Sequence, residues 1–196
     1  MTDPHPYLII DGCFARFSIA LASGDTIISS YIADTDNAHA EDLVTKISEI
    51  LVDANVSFAK LYNIYVTVGP GSFTGIRSGL AAALGIATVN NGCMRGISVF
   101  EALRVMHSGA DVVFAMEAGK GEYYLYHAED AADVIKTSDK LPENAVLITR
   151  QSTGLESIVK LITQKHDDGE EFLPAEPLYI KKPDAKLPSG VATTPL

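Results

Sequence analysis

The 196-residue chain is 47% hydrophobic and 20% charged, with two cysteines, Cys13 and Cys93, in no CxxC pair; this ordinary globular composition excludes wholesale disorder and needs no disulfide framework or structural metal. A formal net charge of −10 argues against strong nucleic-acid binding by this chain alone, since phosphate neutralisation asks for a basic stripe and the basic clustering is confined to Lys181-Lys182 with Lys186. No run approaches ~20 apolar residues, and the opening Met1 to Pro6 has neither a basic nor a long apolar segment, so the expected setting is the cytoplasm, with no membrane contact.

Tyr7 to Ile10 is an apolar run closed by Asp11-Gly12, and Phe17 to Leu21, the Ser23-Gly24-Asp25 turn and Thr26 to Ile32 follow; closely spaced turns predict a three-stranded antiparallel meander. From Ala38 to Ala54 the period changes: Leu43, Ile47, Ile50, Leu51 and Ala54 recur at three and four residues, an amphipathic helix that Asp36 or Asn37 can cap. Tyr62 to Val68 alternates up to Gly69-Pro70-Gly71 as a strand. A second helix spans about Thr74 to Val89, and a short strand lies around Gly96 to Val99. The second half repeats the order more weakly: helix Glu101 to Met106, strands Val112 to Met116 and Tyr123 to His127 around Gly119-Lys120-Gly121, strand Val146 to Ile148 and helix Gly154 to Thr163. The expectation is an α/β protein of two lobes, βββαβα repeated, at 1–99 and 100–182, with an extended tail at 183–196.

The most informative stretch is Gly69-Pro70-Gly71-Ser72-Phe73-Thr74-Gly75-Ile76-Arg77-Ser78-Gly79-Leu80-Ala81. A P-loop requires GxxxxGK[ST], and no lysine follows Gly75 or Gly79. A dinucleotide fingerprint requires a third glycine where Thr74 stands, and Pro70 removes a donor; a helix N-terminus can still receive an anion without either motif. Gly75, Gly79, Ala83 and Ala87 recur every four residues and form one nearly bare row. Helical glycines at 75, 79 and 85 cost roughly 2–3 kcal/mol together, so close approach of another backbone is expected on that row: its own sheet, helix one, or a second chain.

That run closely resembles the signature of the bacterial TsaB (YeaZ) family, an accessory subunit in making threonylcarbamoyladenosine in tRNA. Supporting matches are Leu8-Ile9-Ile10-Asp11, His39 with Glu41, Ser98 with Glu101-Ala102-Leu103, Gly121-Glu122-Tyr123-Tyr124, and Pro177-Leu178-Tyr179-Ile180-Lys181-Lys182-Pro183-Asp184-Ala185. The resemblance implies the actin/Hsp70/sugar-kinase fold of two ribonuclease-H-like lobes. It also implies a degenerate relative of the transferase TsaD that pairs with TsaD through the two first-lobe helices and forms a homodimer alone. The ATPase TsaE joins that assembly, tRNA is met only through it, and ATP and Mg²⁺ belong to the complex. The expected interface is Leu43, Ile47 and Ile50 with Gly75, Ile76, Gly79, Leu80, Ala83 and Ala87. Asp11-Gly12-Cys13 replaces the usual Asp-Thr-Ser, Glu117 to Glu122 departs from the usual second-lobe turn, and the second lobe is shortened, apparently between Ile148 and Glu176.

No catalytic residue is assigned. Asp11 is where this superfamily places a carboxylate near Mg²⁺ and phosphate, and the plainer reading is a turn aspartate capping nearby N–H groups. His39 lacks a second ligand four residues on, where Leu43 stands, and a metal site wants three or more protein ligands. Neither HExxH nor GxSxG occurs; Ser72 reads as a turn or cap residue and Cys13 as a half-buried thiol. The leading reading is a non-catalytic partner of TsaD. Its rivals are a free-standing actin-like nucleotide hydrolase or phosphotransferase using Asp11, and a homodimeric scaffold with another partner.

Overall fold

Alternating β-branched and aromatic residues between tight turns make the opening a sheet. In the computed structural model, which describes residues 5–14, 16–34, 40–107, 112–127, 136–148 and 154–180, strands Tyr7–Asp11 (β1), Ser18–Ser23 (β2) and Thr26–Ile32 (β3) form the antiparallel meander. β1 is buried along its whole length, as befits a central strand, whereas β3 alternates between exposed and half-buried positions. Helix Ala40–Asp53 (α1), strand Asn63–Gly69 (β4), helix Phe73–Asn90 (α2), strand Cys93–Ser98 (β5) and helix Val99–Met106 (α3) follow. β4 runs parallel to β1 and β5 parallel to β4, giving the order β3-β2-β1-β4-β5. This is the βββαβ order that the spacing predicts for the first lobe.

Strands Val113–Gly119 (β6), Glu122–His127 (β7), Lys136–Ser138 (β8) and Ala145–Leu147 (β9) form a second sheet in the order β8-β7-β6-β9, repeating the 3-2-1-4 part of the first. The first unit has α1 between its third and fourth strands, whereas residues 139–144 alone join β8 to β9. One missing element therefore lies earlier than the expected loss between Ile148 and Glu176. The short strand β8 and a 3-10 turn at Phe58–Lys60 escaped the sequence reading, because neither is long enough to show a period.

Helices α1 and α2 cover one face of the first sheet: Leu43, Ile47, Leu51, Ala83 and Ala87 pack on Leu8, Ile10, Ile19, Ile64 and Val66. The other face carries α3 and the last helix, Leu155–Asp168 (α4), whose Ile158, Val159 and Ile162 join Ala102 and Val105 over Ile9, Ala20 and Tyr65. The sequence assigned both α3 and α4 to the second lobe, and the packing returns both to the first sheet. An amphipathic stripe reveals that a helix needs a sheet, without revealing which one. A smaller cluster built on Ile76, Phe100, Phe114 and Tyr126 joins the two sheets, with Phe100 and Tyr126 stacked at 5.2 Å.

After α4 the chain comes back along the first lobe. Gly96 N–H donates to the Leu173 carbonyl at 2.7 Å and Leu178 N–H donates to the Val68 carbonyl at 2.8 Å. A side chain at Gly96 would overlap the Pro174 carbonyl, so the segment rests directly on the β5 backbone. The expected tail at 183–196 and the capping role of Asp36 or Asn37 lie outside the described residues. Among the described residues no helix is long and apolar enough to cross a membrane.

A buried ion pair fastens α4 to α3. Lys165 Nζ lies 2.9 Å from Glu101 Oε1, with both side chains largely shielded from solvent. Glu101 also accepts the Ser98 N–H at 3.2 Å in a capping box, and Lys165 donates to the Glu171 carbonyl at 3.1 Å. Removing one member of such a pair strands the other charge in the interior, at a cost of about 3–5 kcal/mol. Urea unfolding of Glu101→Ala is expected to show a loss of that order. Glu170→Ala, which removes the exposed carboxylate 3.6 Å from the same lysine, should cost less than about 1 kcal/mol.

Candidate functional site

In open α/β sheets the ligand crevice lies beyond the carboxyl ends of strands where the strand order reverses. Here that point is between β1 and β4, and it collects Asp11, Gly12 and Cys13 from one strand end with Gly69-Pro70-Gly71-Ser72 from the other. Asp11 is 3% exposed. Its Oδ1 accepts from Thr67 Oγ1 at 2.7 Å and from the Cys13 N–H at 3.0 Å, while Thr67 Oγ1 accepts the Gly12 N–H at 3.2 Å. This is an Asx-type turn closed by a threonine from the neighbouring strand.

The crevice is filled by backbone. A methyl group on Gly12 would overlap the Gly75 carbonyl, one on Gly75 would overlap the Gly12 carbonyl, and one on Gly71 would overlap the Cys13 carbonyl. Ser72 N–H donates to the Cys13 carbonyl at 2.7 Å, and Ser72 Oγ accepts the Gly75 N–H at 3.2 Å as the N-cap of α2. Gly69 holds φ at +129° beneath the Leu178 carbonyl, and the Gly69–Pro70 bond is cis. Asp11 Oδ1 is thus engaged by two donors, and the space ahead of the helix holds the Gly12–Cys13 backbone.

Burial pushes the Asp11 carboxyl above its ordinary range, against the pull of the Thr67 and Cys13 hydrogen bonds. Burial, followed by the neighbouring Asp11 charge, pushes the Cys13 thiol well up, so it stands as a protonated core thiol with little nucleophilic character.

The bare row on α2 meets its own lobe. Gly75 touches the loop after β1, an added carbon at Gly79 would lie 3.3 Å from Ile10 Cγ2 and 3.5 Å from Val66 Cγ2, and Ala83 and Ala87 are buried in the first core. Ile76 is buried between the lobes, Leu80 packs on both clusters, and Leu43, Ile47 and Ile50 of α1 are core residues. The expectation that these nine residues present a seam to a second chain is therefore corrected: helical spacing finds the close-packed row, but the neighbour is the sheet beneath. The opposite faces are the exposed ones. They show Val44 and Val52 on α1, and Leu84 at 59% and Val89 at 81% exposure on α2. A methyl group added at Gly85 would meet nothing within 4 Å, so no contact inside the lobe explains a glycine there. The signal for this face was available in the sequence, since Gly85 falls outside the four-residue row.

Other features stand apart. A groove of about 760 Å³ runs between the β2–β3 turn and α4, lined by Ile27, Val159, Asp25, Glu156 and Asp167 among others. His39 lies outside the described residues, and no group of three or more His, Cys, Asp or Glu suited to a metal occurs among the described ones.

Residues 26–187 match the family model described as TsaD, tRNA N6-adenosine threonylcarbamoyltransferase. The chain belongs to this family. An uncharacterized protein of Mycobacterium tuberculosis is 29% identical over 179 residues, 80% of this chain and 81% of that one. The tRNA threonylcarbamoyladenosine biosynthesis protein TsaB of Escherichia coli is 27% identical over 146 residues, and its Bacillus subtilis namesake 29% over 119. The matches span 66% and 60% of this chain, but 62% and 52% of those two relatives. YeaZ from Pseudomonas aeruginosa has the same fold, with a TM-score of 0.68 at 19% identity over 90% of this chain and 100% of that structure. The TsaB resemblance read from the Gly69–Arg77 signature is thus supported along most of the chain, and the signature itself builds the closed β1–β4 junction.

Two measurements test this geometry. A carboxyl whose pKa is higher in the folded state holds its proton more tightly there. Its contribution to stability is complete below about pH 4, the unfolded value, and is lost as pH rises through the folded value. Asp11→Asn keeps an acceptor for both donors and cannot ionise. Its denaturation midpoint is expected to match wild type near about pH 4 and to exceed it increasingly toward neutrality. Separately, Gly85→Ala should stabilise the isolated chain by about 0.5–1 kcal/mol, whereas Gly79→Leu should leave it unable to fold, as read by far-UV circular dichroism and thermal melts.

Proposed function

We propose that this chain is an accessory subunit that docks a TsaD-type threonylcarbamoyltransferase through the outward faces of α1 and α2 and carries no transfer chemistry itself. Its relatives named for tRNA threonylcarbamoyladenosine biosynthesis support involvement in that pathway. The observation that carries the docking reading is Gly85 with its neighbours. An exposed helical glycine costs about 1 kcal/mol relative to alanine, and it sits between exposed Leu84 and Val89 on a helix whose other face is already satisfied by the sheet. A bare spot flanked by large apolar side chains is what a second helix needs to approach closely and bury its own side chains. Val44 and Val52 extend the apolar area onto α1. The same face serves a second copy of this chain when the transferase is absent.

The absence of catalysis is supported by the junction at Asp11. The carboxylate that an actin-like phosphotransferase would turn toward a nucleotide is here buried under Thr67 and Cys13.

Size-exclusion chromatography of purified chain with its cognate transferase tests the reading. Leu84→Arg, Gly85→Leu and Val44→Arg lie at exposed positions and are expected to leave the melting temperature within a few degrees of wild type while abolishing co-elution. Undiminished co-elution of Leu84→Arg and Gly85→Leu would remove this face as the docking surface.

A further inference from the structure

The face of the first sheet that carries α4 holds a second surface, on the opposite side from α1 and α2. Its groove of about 760 Å³ lies between the start of β3 and the outer side of α4. Glu156, Val159, Lys160, Thr163, Gln164 and Asp167 recur at alternating steps of three and one, so a single stripe of α4 forms the long wall. From Glu156 to Asp168 that wall runs about 18 Å. Thr163 Oγ1 donates to the Gly24 carbonyl at 3.3 Å, which ties the β2–β3 turn to the helix and sets Asp25 beside its last turns. Val159 and Ile27 give the groove an apolar floor, since both pack in the core cluster beneath it.

Charge decides what such a groove takes. Its lining has a formal charge of −3, the carboxylates of Asp25, Glu156, Asp167 and Asp168 against the ammonium of Lys160. Lys160 Nζ is held on α3, where it donates to the Val105 carbonyl at 3.1 Å. Among the described residues no ion pair reaches Asp25, Glu156 or Asp168. Lys165, in the last turn of α4, is directed inward to Glu101, so the negative end of the helix adds to the carboxylates around it. An apolar floor with anionic ends is complementary to an amphipathic cation. A second copy of this chain is a poor match, because its net charge of −10 sets like charge against like. A linear polyamine meets the carboxylates but is too thin to cover the floor. An extended peptide would add to the edge of β3, and a bulge opposite Leu21 and Ala22 interrupts that edge. A helix with an apolar stripe flanked by lysine or arginine meets both the floor and the rim, and about three turns of it match the wall. We propose that this groove docks a basic amphipathic helix of a partner protein. The inference does not rest on the docking face of α1 and α2.

Fluorescence anisotropy of the full chain at about 50 mM salt tests this. The probe is a fluorescein-labelled peptide of about 14 leucines and lysines, with leucine at i, i+3, i+4 and i+7. A scrambled peptide of the same composition and unlabelled spermine serve for comparison. Wild type is expected to bind the striped peptide saturably and at least about five-fold more tightly than the scramble. Glu156→Lys with Asp168→Lys should weaken that complex about five-fold or more. Glu117→Lys with Glu143→Lys makes the same change in net charge at exposed positions of the second lobe, and should stay within about two-fold of wild type. Both double variants are checked for unchanged melting temperatures. No saturable binding by wild type, equal affinity for the scramble, or an equal loss in the two double variants overturns the proposal. Displacement of the peptide by an equal concentration of spermine assigns the groove to a small polycation and overturns it too. Leu84→Arg, on the opposite face, is expected to bind the peptide as wild type does. Loss of binding there places the peptide on α2, and the proposal fails.

Discussion

The structure depends on the contact between two backbones at the carboxyl ends of β1 and β4. Gly12 and Cys13 press against Gly71 and Gly75, with no side chain able to stand between them. That contact fixes the start of α2, and Gly79 then lets the helix settle onto Ile10 and Val66. Interiors pack at near-crystalline density, so the position of α2 is set within a narrow range by these four glycines. Their conformational cost is offset by the apolar burial that close approach permits.

Two consequences follow from the same contact. The crevice that a ligand would occupy in an open α/β sheet is closed, and Asp11 becomes a structural hydrogen-bond acceptor. At the same time α2 is turned so that its large apolar residues and Gly85 face outward. The close backbone contact at the strand ends and the outward apolar face of α2 are thus one packing decision.

The second lobe and the C-terminal segment serve the first sheet. α4 crosses back to cover the face that α1 and α2 leave open, held by the buried Lys165–Glu101 pair and by a 2.6 Å hydrogen bond between Tyr65 and His166. The segment that follows it lies on Gly96 and Val68 and ends with Tyr179 against Arg77. In this way a motif near the C-terminus is delivered to the corner of α2, beside the outward stripe.

The sequence by itself determined most of the elements, their order and the family, because turn residues, periods of two and 3.6, and the Gly69–Arg77 run are local properties of the chain. It also located the bare row on α2 and the capping roles of Ser72 and Asp11, which depend on residues a few positions apart. Which face of α2 meets the sheet, which sheet receives α4, and that Tyr179 reaches Arg77 were decided only by tertiary structure. Each of these depends on residues that are remote along the chain and competing for the same apolar surface, and a helical stripe or a glycine row carries no label for its partner.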